Sequence, residues 1–331
     1  MRMRSLKGPL KGPWTVVVVA LAAMVSLLTA ALVSDPSGGR ASSTSAPVTV
    51  TSFTGTGIST PQQIAVGPDG ALWFTNEGTN SIGRITTAGV VSNFTDPSIS
   101  YPRGITTGPD GNLWFVNKGN DSIGRITPDG VVTDFIGASA PEVITSGPDG
   151  ALWFTNEGNN SIGRITTAGV VSTFTDPSIG NPEGIVAGPD GALWFTNVVN
   201  NSIGRVTTTG VVSNYTGPGI NDPEGITVGP DGALWFTNWA NGSIGRITTA
   251  GVVSNFTDPS ISFPEGIVAG PDGALWFTND HGNSIGRITT DGVVSNYPDP
   301  SIRLPAWIAA GPDGALWFTN GGNESIGRIA P

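Results

Sequence analysis

GPDGALWFTNEGNNSIGRI, residues Gly147–Ile165, is one of seven near-copies in this chain. Nearly the same nineteen residues recur at Gly67 and Gly311, and close relatives appear four more times between them. The GPDG tetrads begin at Gly67, Gly108, Gly147, Gly188, Gly229, Gly270 and Gly311, with spacings of 41, 39, 41, 41, 41 and 41 residues. A period near forty belongs to propeller blades and to helical repeats. Strand chemistry decides between them. Each unit holds short β-rich runs, such as GIVAG, ALWFTN, SIGRIT and GVVSNF, separated by Gly, Pro, Asn and Asp. Helix formers are scarce. Four short strands per unit read as one antiparallel four-stranded blade.

Turn chemistry parses the unit. In GPDG, Pro presets φ at the first turn position, and Gly supplies a position that tolerates φ > 0. TTAG and TPDG turn the third strand into the fourth. Trp and Phe of LWFTN fall on opposite sides of the second strand. The last unit stops at SIGRIAP and lacks its GVVSNF strand. Phe53 lies 41 residues before Phe94, in register with the fourth-strand aromatics. Val48–Phe53 is therefore expected to complete the seventh blade and leave no open edge at the seam. The predicted fold is all-β: a seven-bladed β-propeller of four-stranded antiparallel blades over residues 47–331, closed by an N-terminal strand.

Residues 1–33 stand apart. Four basic residues precede the apolar run WTVVVVALAAMVSLLTAALV, Trp14–Val33. This reads as a signal peptide or as an uncleaved signal anchor, an apolar helix outside the fold, because twenty residues also suffice to span a bilayer. Residues 34–46 read as a flexible polar linker. Either reading exports the remainder, so the protein is expected to be secreted or membrane-anchored on the extracytoplasmic side, and to meet a membrane only through this segment. The chain has 331 residues, Gly 48 and Pro 26, and no cysteine, so disulfides, thiolate metal sites and cysteine nucleophiles are excluded. From Ala46 onward ten basic residues face twenty-four acidic ones, a net charge of −14. That balance argues against nucleic acid. It suits a small-molecule or extracellular partner, and the chain is expected to be a monomer.

The pattern P-x-G-I-x-x-G-P-D-G-x-L-W-F-T followed by N-x-I-G-R-I-T resembles the virginiamycin B lyase (streptogramin lyase) family. The likeness covers residues 47–331. It implies a seven-bladed propeller and an elimination that opens a cyclic depsipeptide with Mg²⁺ and a histidine base. It places that base in the P-H-[GA]-I column and metal-binding glutamates beside it. Here the column reads Gln62, Arg103, Glu142, Glu183, Glu224, Glu265 and Ala306, with no histidine. The family's W-F-T-E is W-F-T-N, or W-F-V-N at Val116.

Comparing the units separates scaffold from candidate site. Two segments vary: the loop after the second strand and the connection into the next first strand. Antiparallel geometry puts both at one end of the disc, here called the top. Glu142, Glu183, Glu224 and Glu265 would surround the channel mouth, with Arg103 beside them. They read either as a site for a hard cation, Mg²⁺ or Ca²⁺, or as a solvated acidic rim with ordinary pKa values. The seven WFTN asparagines are expected to satisfy loop backbone. The repeated arginines and turn aspartates are expected to pair, and the repeated tryptophans to form blade core. Among unrepeated residues, His281 beside Asp280 is a candidate acid/base pair. Tyr101, Trp239, Phe263 and Trp307, with Arg103, are candidates for a wall that binds a flat or cyclic ligand. The reading is a ligand-binding or interaction module acting through the top face. The alternatives are a Mg²⁺/Ca²⁺-dependent lyase or lactonase-type hydrolase, and a structural surface-display protein.

Overall fold

Each GPDG tetrad closes a hairpin at the bottom of a blade. Gly70 takes φ 72°, a left-handed conformation that costs glycine little, and its amide donates to the Gly67 carbonyl at 3.1 Å. The turn aspartate then organises the rest of the blade. Asp69 Oδ1 accepts from the Trp73 indole N–H at 3.0 Å, and Oδ2 accepts from Arg84 Nε at 2.6 Å. The Arg84 guanidinium lies 6.0 Å from the Trp73 ring centre, and Phe94 stacks on Trp73 at 5.2 Å. One unit thus folds as an Asp–Trp–Arg–Phe stack. The buried indole donor is satisfied, as a buried polar group must be.

These units build the architecture in the computed structural model, which describes residues 48–331. The expected N-terminal segment and linker, residues 1–46, fall outside the described residues. Twenty-eight strands form seven four-stranded antiparallel sheets. Strand β1 is Thr49–Thr54. Blade 1 comprises β2 (Pro61–Val66), β3 (Leu72–Asn76), β4 (Ser81–Ile85) and β5 (Val91–Thr95). Blades 2 to 6 repeat this order from innermost strands β6 (Pro102–Thr107), β10 (Pro141–Ser146), β14 (Pro182–Ala187), β18 (Pro223–Val228) and β22 (Pro264–Ala269). Blade 7 comprises β26 (Pro305–Ala310), β27 (Leu316–Asn320) and β28 (Ser325–Ala330), completed by β1.

The expected closure is present. β1 pairs with β28 from Thr49↔Ala330 to Thr54↔Ser325. Phe53 stacks on Trp317 at 5.3 Å, as the fourth-strand aromatics do elsewhere. Cores lie between blades. Leu72, Phe74 and Ile85 pack on Trp317 and Ile326 of blade 7, while Trp73 and Ile82 pack on Leu113, Phe115 and Ile126 of blade 2. Trp and Phe therefore do occupy opposite faces. The glycine of SIGRI is fixed by this packing: a Cβ on Gly83 would sit 2.2 Å from the Phe74 ring.

At the top, Asn76 Oδ1 accepts from Ser59 N at 3.0 Å, and its Nδ2 donates to the Gly57 carbonyl at 2.9 Å. The asparagine thus ties the connecting loop to its blade. The two variable segments meet at this end, since Glu77 N donates to the Thr60 carbonyl. The sequence did not reveal a β-bulge in every innermost strand. In β10, Pro141 pairs with Asn156 and Ile144 with Phe154, so Glu142 and Val143 together oppose Thr155. The threonine hydroxyl accepts from the bulge amide (Val143 N, 3.0 Å) and donates to the bulge carbonyl of the next blade (Glu183 O, 2.8 Å). Below the bulges, Ile64, Ile105, Ile144, Ile185, Ile226, Ile267 and Ile308 ring the axis around a cavity of ≈ 160 Å³.

Candidate functional site at the channel mouth

The bulge turns the residue after each innermost proline toward the mouth of the axis. That residue is Gln62, Arg103, Glu142, Glu183, Glu224, Glu265 or Ala306 in blades 1 to 7. Together with Gln63, Val143 and Trp307, most of them line a cavity of ≈ 110 Å³. Trp307 fills the column that is glycine in blades 2, 4, 5 and 6. Its ring packs against the cluster holding Val143 and Ile185 of blades 3 and 4.

The mouth divides into two electrostatic halves. On one side Arg103 donates to Gln62 Oε1 at 2.8 Å, lies 3.3 Å from Glu77 Oε2, and approaches Glu142 Oε1 at 3.2 Å. Lys118 Nζ contacts Glu142 Oε2 at 2.8 Å and pairs with Glu157. Tyr101 lies under the Arg103 guanidinium, 5.3 Å from ring centre to Cζ. Its phenol is held above the usual range, chiefly by a hydrogen bond to Glu77. Burial alone would lower the Lys118 pKa, but its bonds to Glu142 and Glu157 outweigh burial and raise it.

On the other side Glu183, Glu224 and Glu265 have no salt-bridge partner among the described residues. Burial pushes the Glu183 carboxyl well above the carboxylate range, with Glu142 and Glu224 adding to the shift. Burial raises Glu224 to about 7, helped by Asp222 and Glu142. It raises Glu265 to about 8, helped by Glu224 and Asp280. Asp222 and Asp280 are raised by burial as well. Burial therefore moves three of the four glutamates above the ordinary carboxylate range. The fourth, Glu142, is only 7% exposed and is taken up by Arg103 and Lys118.

The expected aromatic wall is split in three. Trp239 and Phe263 pack edge-on at 4.7 Å, and His281 joins them, 4.5 Å from Phe263. Tyr101 stands with Arg103 in the other half, and Trp307 lies at the axis. His281 Nε2 is 3.6 Å from Asp280 Oδ2, beyond hydrogen-bond distance, and the imidazole is half exposed. Sequence reasoning missed Glu77, Lys118 and Glu157. Their signal was legible: in the position after the WFTN asparagine, Lys118 is the one base, with glutamates in the blades on either side.

The model of the virginiamycin B lyase family matches residues 33–222 and 180–331. The chain belongs to this family. It is similar to a streptogramin B lyase structure at 35% identity, covering 85% of this chain and 97% of that one with a TM-score of 0.80. It is also similar to the catalytically inactive histidine-to-alanine variant of virginiamycin B lyase from Staphylococcus aureus with quinupristin. That match has 34% identity, covers 86% of this chain and 100% of that one, and has a TM-score of 0.81. A gluconolactonase-like structure at 16% identity, TM-score 0.57, shares the fold alone. No curated protein matches the chain.

Within the virginiamycin B lyase family this site departs from the chemistry that the likeness implies. The innermost-strand column carries no imidazole, and His281 stands outside it on a top loop. Among the described residues no group of three or more Asp, Glu or His side chains is arranged to hold a metal ion. The quartet expected to bind Mg²⁺ or Ca²⁺ is divided, with Glu142 paired to two bases and its three neighbours left without a basic partner among the described residues. Among the described residues these carboxyls do not converge in a group of three on one point, the arrangement that a hard dication uses.

Proposed function

We propose that this member of the virginiamycin B lyase family is an exported ligand-binding propeller without lyase activity. Its top face, centred on the channel mouth, is the recognition surface. The observation carrying this reading is the composition of the innermost-strand column. Where the family likeness places a histidine base, every blade presents an amide, a guanidinium, a carboxyl or a methyl group, and none an imidazole. The mouth nevertheless offers what binding needs: Arg103 and Gln62 as oriented polar groups, the glutamate carboxyls as hydrogen-bonding groups, and the Trp307 ring as an apolar floor. A cavity of ≈ 110 Å³ accepts a small polar group, and a larger ligand would cover it and rest on Trp239 and Phe263.

Two measurements test this. Incubation with quinupristin and Mg²⁺, followed by mass spectrometry, should yield no ring-opened product; appearance of linear product would overturn the non-lyase reading. Ligand-observed NMR against small polar fragments should give binders that are lost in Arg103→Gln and Trp307→Ala. A face that binds nothing, or binds independently of both residues, would leave a display scaffold as the better description.

A further inference from the structure

The innermost strands turn toward the axis backbone groups that the sheets do not use. In blade 2, Gly108 N donates to Asn112 O at 2.7 Å. Counting along the ladder from that turn, Thr106↔Trp114 exchanges hydrogen bonds and Ile105↔Phe115 does not. The Ile105 N–H and C=O therefore point to the axis, where β6 has no further strand in its sheet. Two contacts fit this direction: Ile105 N donates to Gln63 Oε1 at 2.6 Å, and the Thr107 carbonyl accepts from Ser146 Oγ at 2.7 Å. The other blades repeat the turn bond and the register. Gln63 thus covers the amide of Ile105. The amides of Ile144, Ile226, Ile267 and Ile308 are met instead by a glycine of the preceding blade, and a Cβ there would lie 2.9–3.3 Å from the amide nitrogen. These four isoleucines line the chamber of ≈ 160 Å³, together with Thr106 and Thr145. No ionisable side chain among the described residues does so. Trp307 reaches across the axis from blade 7 to the cluster of Val143 and Ile185, and it lines both this chamber and the cavity at the mouth. The indole is the partition between them.

We propose that this axial chamber is a second binding site, for a small uncharged polyol, and that it is independent of what the mouth binds. A strand edge presents the N–H and the C=O of one residue side by side. A hydroxyl can accept from the first while it donates to the second. Thr106 and Thr145 add two hydroxyls to the same wall. A wall without ionised side chains disfavours a charged ligand, whose desolvation nothing would repay. The volume sets the size: a cavity of about 150 Å³ accepts a six-carbon ring, so the ligand has about six to eight non-hydrogen atoms. The isoleucines and the Trp307 ring cover its carbon chain. The glycines leave room for its oxygens at the open amides. Gln63 shows the geometry, because its side-chain oxygen takes at Ile105 the place that a ligand oxygen takes at the others.

Erythritol is the probe, with 1-butanol as a control of equal carbon number. Polyols raise Tm generally, by exclusion from protein surfaces, so the readout is a saturation-transfer NMR titration of the protein. Wild type should bind erythritol several-fold more tightly than 1-butanol. The double variant Thr106→Val, Thr145→Val should keep its circular dichroism spectrum and bind erythritol about fivefold more weakly, the worth of a lost hydrogen bond. Arg103→Gln, which disables the mouth, should leave erythritol binding in place. Undiminished binding in the threonine variant, or its loss in Arg103→Gln, would put the polyol outside the chamber and overturn the proposal. Butanol bound as tightly as erythritol would overturn the ligand class. Trp307→Ala joins the two cavities and removes the partition as a barrier to entry. Failure of wild type and this variant alike to bind erythritol would end the proposal, whatever the mouth recognises. A crystal soaked in erythritol decides the same question without any variant, since the ligand must lie below Trp307 and against Thr145.

Discussion

Single residues in this protein are read best against their six equivalents. Asn112 replaces the alanine found after the other GPDG turns, and its side chain donates to Asp110 Oδ2 at 2.9 Å. Arg125 is displaced to 3.8 Å from that oxygen, whereas the other six pairs close to 2.6–2.7 Å. Asn112→Ala should restore the pair and stabilise the fold by less than about 1 kcal/mol, since the pair is partly solvated; chemical denaturation would measure it. Val116 is the one non-threonine at the bulge position, leaving Gly104 N and Glu142 O without the hydroxyl that serves their counterparts. Val116→Thr should add about 1 kcal/mol by supplying both bonds. The raised carboxyls set a pH dependence of known sign. An acid whose pKa is higher folded than unfolded stabilises the protonated native state, and that stability is lost as pH climbs through the folded value. For Glu224 and Glu265 the loss falls between about pH 4.5 and pH 8. The double variant Glu224→Gln, Glu265→Gln should flatten Tm across that window and melt higher than wild type at its alkaline end. An unchanged pH profile would mean that these groups ionise normally.

Among elements, β1 carries the most weight for its size. It supplies one strand of twenty-eight, yet without it β28 would present an open edge, and blade 7 would lose the aromatic that covers Trp317. Phe53→Ala should cost about 2–3 kcal/mol, matching Phe174→Ala in blade 3, because both rings do the same job. Deleting residues 48–54 should go further and produce concentration-dependent association through the exposed β28 edge, visible in light scattering before thermal unfolding. The strand order and this closure were legible in the sequence because period, turn chemistry and the missing GVVSNF segment are local signals. The bulge was not legible. Its cause is the register between an innermost strand and the threonine of the next strand, and P-E-G-I carries no mark of a two-for-one pairing.

For the whole molecule, the ring makes one face repetitive and the other individual. Among the described residues no three carboxylates converge at the mouth to hold a divalent cation. Addition of Mg²⁺ or Ca²⁺ should therefore leave Tm unchanged; a concentration-dependent rise, by mass action on the folded state, would restore the cation site. The candidate residues read as a column do occupy one position of the innermost strands, and their pairing was decided by contacts between blades. Arg103 and Lys118 both reach Glu142 and leave Glu183, Glu224 and Glu265 without a basic partner among the described residues.

Sequence alone determined the seven units, their four strands, the pairing of turn aspartates with repeated arginines and the place of closure. Each follows from short-range chemistry written seven times, so that a single repeat predicts the rest. Tertiary structure alone decided the halves of the mouth, the scattering of Tyr101, Trp239, Phe263 and Trp307, and the neutralisation of one glutamate among four. Those outcomes depend on distances between residues about forty positions apart, and on how far water reaches into the axis. Neither quantity exists until the ring has closed.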